Sequence, residues 1–305
     1  MKITVIGAGG VGGYFGARLA AAGCDVTFVA RGAHLQAMQQ QGLQVNSPLG
    51  ALYLPQVKAV DSVAKAADAT LFIVAVKLWD TAGVAAQLQP VVSGDVGVLS
   101  LQNSVQKDDI LREYLPAANV MGGVSYIAAS IASPGVIHHG GSLQKLAFGE
   151  YDGHISPRAE KFRDACQQAG IEHELSDDIT RLIWEKFVFL VGLSGNTSLF
   201  RTTIGPIRND AEKRRLLLQT MEEVVAVARA KGIKLRDNFA EKLLAFTDTL
   251  PANMPSSMKT DLERGHRLEL PWLSGAVVDM GRALGIATAA NSRIVTELTP
   301  FVNGN

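Results

Sequence analysis

The sequence predicts an α/β protein: an N-terminal Rossmann-type, doubly wound parallel sheet, then a C-terminal all-α domain. Three observations predict it. Over residues 1–177, short apolar runs alternate with helical segments, the pattern of a parallel sheet wrapped by helices. The glycine-rich turn GAGGVGG joins the first of these runs to the first helix. After Asp178 strand signals nearly vanish, while amphipathic helical spacing continues. The 305 residues exceed what one hydrophobic core usually serves, so residues 1–177 and 178–305 are expected to form separate domains.

Taken in order, KITVIGAG reads as a buried strand, and VGGYFGARLAAAG as a helix closed by Gly23. DVTFVAR is the second strand. GLQV and ALYLPQV flank NSPLG, a hairpin inserted into the pattern. ATLFIVAVK and GVLSLQN are two further buried strands, with a helix over residues 79–88 between them, and NVMGGVSYI is another strand. SPRAEKFRDACQQAG is an amphipathic helix and IEHEL a short strand. DAEKRRLLLQTMEEVVAVARAKG is a long helix with charges on one side and Leu, Met and Val on the other. DNFAEKLLAFTDTL is the next helix. PANMPSS is a loop in which Ser256 or Ser257 can cap the helix after it. PWLSGAVVDMGRALG opens on a proline suited to a first helical turn and closes on Gly285.

Lys plus Arg equals Asp plus Glu, at 29 each. That balance argues against a dedicated surface for nucleic acid or anionic membrane, while leaving room for a local phosphate pocket. Cys24 and Cys166 have no metal or redox spacing and are expected to be reduced thiols in a cytoplasmic protein. The N-terminus enters a strand at once, so no signal peptide is expected, and no apolar run reaches the length of a membrane span. The six histidines suggest no metal site: His138 and His139 are adjacent on a strand and face opposite ways.

Gly7, Gly9 and Gly12 have the G-x-G-x-x-G spacing, completed by Ala8, Gly10 and Val11. The first glycine permits the tight turn, the second lets the backbone approach a pyrophosphate, and the third lets helix and strand pack closely. The second strand ends at Arg31, where an acid would select the free ribose 2′-hydroxyl of NAD. An arginine there pairs with a 2′-phosphate, so NADP is the expected cofactor. Asp25 lies at the wrong end of that strand. Lys77 and Asn103 end two later strands, at the edge where open α/β sheets bind ligands. In the helical half, WEKFVFLVGLSG sets Lys186 at the mouth of an apolar run, where a lysine either snorkels to water or serves a dry site.

The ordered set GAGGVGG, Arg31, VAVKLWD, LQNSV, GVSYIAA, WEKF and SSMKTDLERGHRLEL resembles the ketopantoate reductase family (2-dehydropantoate 2-reductases) over nearly the whole chain. The resemblance implies NADPH-dependent reduction of a branched 2-oxo acid in a cleft between a Rossmann domain and a helical domain. It puts Lys186 at the catalytic lysine, Glu269 at the cleft glutamate, Asn103 and Ser257 at ligand-binding positions, and Ala129 at a cofactor contact. The chemistry agrees: negative charge develops on a carbonyl oxygen as hydride reaches its carbon, and an ammonium can stabilise it and donate a proton. Glu269 would orient Lys186 or hold a substrate hydroxyl.

The departures from the family lie on the substrate side. Asparagines expected one and two turns after Lys186 are Leu190 and Ser194, and a glycine expected after Asn103 is Ser104. Residues four and eight positions beyond a helical lysine share its face, so Leu190 and Ser194 are expected against substrate. Leucine removes hydrogen bonds that would recognise a polar tail. Asn196 has the wrong helical angle to substitute and reads as a cap or turn residue. Three functions are compatible with these residues: a ketopantoate reductase, a related reductase for a 2-oxo acid with a less polar tail, and a non-catalytic NADP-binding sensor, which would need no proton donor. The helical domain is a candidate surface for homodimerisation.

Overall fold

The computed structural model describes residues 1–304. Ten strands form one sheet: β1 (Lys2–Ile6), β2 (Asp25–Val29), β3 (Leu43–Asn46), β4 (Leu52–Leu54), β5 (Lys58–Val60), β6 (Leu71–Val74), β7 (Gly97–Ser100), β8 (Val120–Ser133), β9 (Val136–Gly149) and β10 (Glu172–Leu175). The order β5-β2-β1-β6-β7-β8 is parallel throughout. This is the Rossmann arrangement, which reverses its winding between β1 and β6.

Helices cover both faces: α1 (Gly10–Ala21), α2 (Gly32–Gln41), α3 (Thr81–Leu88), α4 (Lys107–Arg112) and α5 (Pro157–Gln168). The side chains of β6 alternate between two cores. Leu71 and Ile73 join Tyr14, Phe15 and Phe162, while Phe72 and Val74 join Val84, Leu88 and Leu111. A strand buried on both faces must be apolar at every position, which is why LFIV is legible as a central strand.

The sheet is mixed on its other side. The predicted β3–β4 hairpin is present and antiparallel. β8 runs on to Ser133 and returns as β9, a strand the sequence pattern does not signal. Their outer halves are largely exposed yet mix apolar, small and polar residues, they turn at Gly135 (φ 77°), and two register shifts interrupt the pairing, so no clean alternation marks them. The three-residue β5 is too short to read.

The chain divides into two compact units. Met1–Gln102 and Lys107–Thr180 make one; Asn103–Gln106 and Arg181–Asn305 make the other. The division is therefore not a single cut near residue 177. The four residues after Gln102 go with the helices, and Val105 packs on the helical core.

The second unit contains α6 (Ile179–Leu199) from Arg181 onward, α7 (Ile204–Arg208), α8 (Ala211–Ala230), α9 (Phe239–Thr249), α10 (Ser257–Glu263), α11 (Ser274–Leu284) and α12 (Ala289–Leu298). Its core joins Trp184, Phe187, Val188 and Val191 of α6 to Leu217, Met221 and Val224 of α8 and to Val277 and Ile294. Asn196 is neither cap nor turn. It is buried within α6 and donates to the Gly192 carbonyl and to Thr220 Oγ1 on α8. Its angle takes it away from Lys186 and into this core. Among the described residues no helix is long and apolar enough to cross a membrane.

Candidate active site

The glycines of the first turn answer to different demands. Gly7 has φ +94°, and a Cβ there would lie 2.8 Å from the backbone of Ala75 and Val76. A Cβ on Gly12 would overlap the Gly7 carbonyl, and one on Gly10 would overlap the Ala129 carbonyl of β8. Gly10 and Ala129 are thus in close contact. Gly9 is unlike them: apart from its chain neighbours, no described atom lies within 4 Å of its Cβ position. Packing therefore does not require glycine at position 9. It is the N-cap of α1, no side chain caps that helix, and the space beside it is open. Backbone donors at a helix N-terminus with room in front of them suit the pyrophosphate of a dinucleotide. Ala8 is buried and donates to the Val29 carbonyl, while Val11 packs on the core.

His34 supports this turn. Its Nε2 lies 2.8 Å from the Ala8 carbonyl, and its Nδ1 accepts from Gly135 N at 3.0 Å. Those bonds require a neutral ring with the proton on Nε2. Burial pulls its pKa below the ordinary value. Histidine three residues after a strand-end arginine carries no sequence signal of such a role.

Arg31 follows β2 at the N-cap of α2 and is exposed. Its Nη2 lies 2.7 Å from Asp80 Oδ2. Asp25, the acid near it in sequence, pairs instead with Lys58. β2 and β6 flank β1, so the loops after them carry Arg31 and Asp80 together, which spacing could not reveal. Lys77 precedes the 3-10 turn Leu78–Asp80, half-buried, with its Nζ 5.7 Å from the centre of the Trp79 ring. Gln102 braces this edge by donating to the Val76 carbonyl and to Thr81 Oγ1.

In the second unit, Lys186 is half-buried on α6 beside the buried Trp184, Phe187 and Val188. Its Nζ donates to Asn103 Oδ1 at 2.7 Å. Ser104 Oγ donates to the Trp272 carbonyl and accepts from Gln106 N, each at 3.1 Å. Glu269, 9% exposed, immediately precedes the 3-10 turn Leu270–Trp272. The segment 103–106 is thus bonded to Lys186 at one residue and to the turn after Glu269 at the next. Ser104, in the sequence only a departure from the family, supplies the second of these bonds.

Leu190 is half-buried one turn beyond Lys186, whereas Ser194, a turn further, is 2% exposed. The face that brings Lys186 and Leu190 towards the surface is closed at Ser194. Ser257 is exposed at the first residue of α10. The cap is Ser256, which accepts from Lys259 N and from Thr197 Oγ1 of α6.

Comparison with known proteins agrees with this architecture. The family model for ketopantoate reductase PanE/ApbA matches residues 3–153, and that for its C-terminal part matches residues 178–301. The chain is 32% identical to a 2-dehydropantoate 2-reductase of Archaeoglobus fulgidus, over 96% of this chain and 95% of the relative. It is 27% identical to an uncharacterized oxidoreductase of Bacillus subtilis, covering 99% of both. The crystal structure of a PanE/ApbA family ketopantoate reductase from Ralstonia eutropha superposes with a TM-score of 0.91 at 31% identity, covering 99% of this chain and 98% of that one. With both family models matched and full-length relatives above 30% identity, the chain belongs to the PanE/ApbA ketopantoate reductase family.

Proposed function

We propose that this protein reduces a 2-oxo acid with NADPH, 2-dehydropantoate to pantoate being the first reaction to test, and that Lys186 is the general acid. One observation carries the assignment of the acid: the Lys186 ammonium donates to Asn103 Oδ1 at 2.7 Å, on a helix whose neighbouring residues are core. An amide oxygen accepts from an ammonium and can aim it without taking its proton. NADPH, when bound, supplies the hydride. The open space at Gly9 and the uncapped α1 suit its pyrophosphate, and Arg31 its 2′-phosphate. Lys77, Asn103 and Ala129 complete the proposed contacts.

In this reading Lys186 donates hydrogen bonds to the substrate ketone and passes a proton to its oxygen as charge develops there. Glu269 orients the lysine or accepts from a substrate hydroxyl. Ser257 is proposed to contact substrate, as is Leu190, whereas the buried Ser194, expected from its helical spacing to line the same face, is not; Leu190 favours a second reading with a 2-oxo acid of less polar tail. The protein is read as cytoplasmic, with a second copy of itself as the candidate partner.

Lys186→Ala is expected to lower kcat by about two to four orders of magnitude, the usual contribution of a positioned acid, with the Kd for NADPH nearly unchanged. Near-normal turnover would end the assignment. A panel of 2-oxo acids followed by NADPH absorbance decides between the two substrate readings: comparable efficiency on several acids with poor use of 2-dehydropantoate supports the second. Tight NADPH binding without oxidation by any of them would indicate a sensor.

A further inference from the structure

We propose that Asp80 is a coenzyme-discriminating residue: paired with Arg31, it opposes the 2′-phosphate of NADPH and so admits NADH as an alternative. The inference rests on the coenzyme reading above and concerns its specificity. Arg31 Nη2 lies 2.7 Å from Asp80 Oδ2, and Asp80 is the more enclosed partner, at 27% side-chain exposure against 77%. A guanidinium recognises phosphate best through two parallel N–H bonds from one edge. Here one Nη2 donor is already given to a carboxylate. A 2′-phosphate reaching Arg31 must share or displace that bond, and it arrives as about a −1.5 to −2 charge beside a fixed −1. The free 2′-hydroxyl of NADH meets no such repulsion and can itself donate to a carboxylate.

The placement of Asp80 holds independently of Arg31. It ends the 3-10 turn Leu78–Asp80 and occupies the N-cap of α3, whose next residue, Thr81, is buried and bonded to both the Leu78 carbonyl and Gln102. The backbone that carries the carboxylate is therefore fixed in the loop after β6. A negative charge at a helix N-terminus is itself favourable, so the acid is retained without strain.

The test is titration of NADPH and NADH, by fluorescence or calorimetry, into the wild type, Asp80→Asn, Arg31→Ala and the double variant, at low and high salt. Asp80→Asn is expected to tighten NADPH about two- to fivefold at low salt, a range suited to an exposed pair, and to leave NADH within about twofold or weaker. The gain should shrink at high salt and disappear in the Arg31→Ala background. Unchanged or weaker NADPH binding in Asp80→Asn, or equal tightening of both coenzymes, overturns the inference and leaves the coenzyme reading standing. Binding of neither coenzyme to the wild type removes both. Thermal melts of each variant separate these results from a loss of fold.

Discussion

Glycine identity in the first turn has two physical origins that the spacing alone merges. Gly12 is glycine because a Cβ would overlap the Gly7 carbonyl; Gly9 faces open space beside the uncapped α1. Gly12→Ala should therefore cost stability, of the order of 1–3 kcal/mol or more as forced overpacking does. Gly9→Ala should fold nearly as well, losing only an N-cap preference, yet bind NADPH at least about tenfold more weakly because the methyl occupies the cradle. Thermal unfolding and coenzyme titration of the two variants check the contrast. Similar losses of affinity and stability in both would refute it. At this scale the glycines, Arg31, Asn103 and Lys186 were legible because each combines an unusual residue type with a strand end or an apolar helix. Asp80, His34 and Ser104 were not. Their roles arise from partners brought together by the fold: Arg31, the Ala8 carbonyl and the Trp272 carbonyl.

Elements were legible where burial writes a period. β6 and β7 are buried at every position and read as continuous apolar runs. β9 was lost because half of it is exposed. α4 shows another limit: its first two residues, Lys107 and Asp108, look like a solvated charge pair and are almost fully buried. Asp108 Oδ2 accepts from Lys107 Nζ and from the hydroxyl of Tyr151, whose ring lies under the Arg112 guanidinium at 3.8 Å. Burial pushes the Lys107 pKa down, against the pull of Asp108, and it pushes that of Tyr151 up. The cluster pins α4 to the turn after β9. Asp108→Ala should destabilise the protein by about 3–5 kcal/mol, because it leaves a buried ammonium without its counter-charge. Urea unfolding gives the value, and a loss under about 1 kcal/mol would contradict the account.

Over the whole molecule, a half-buried histidine and a buried thiol each make part of the stability depend on pH. His34 has a pKa held below its ordinary 6.5, chiefly by burial. The unfolded chain binds the proton more readily, so this contribution is present above pH 6.5 and lost as pH falls through the folded value. Cys166 is pushed up to about 12 by burial, from 9.0. Here the unfolded chain releases its proton first, so the contribution is complete below pH 9.0 and lost as pH rises towards 12. His34→Gln should reduce the acid slope, and Cys166→Ala the alkaline one. An acid limb unaltered in His34→Gln would rule out that histidine as its source. The two-part organisation was visible in the change of periodicity. The assignment of residues 103–106 to the helical unit was not, because it depends on contacts of a short polar loop rather than on any pattern within it.

That loop has a consequence for anyone recombining these proteins. The backbone passes from one unit to the other after Gln102, returns after Gln106, and passes again after Thr180. A chimera joined only at Thr180 would combine Lys186 from one parent with Asn103 and Ser104 from the other, so its hydrogen-bond partners would be inherited separately from the lysine. The heritable module is thus discontinuous: residues 103–106 must travel with residues 181–305. Grafts that respect this should keep their lysine aimed, and grafts cut at the visible change in periodicity should not.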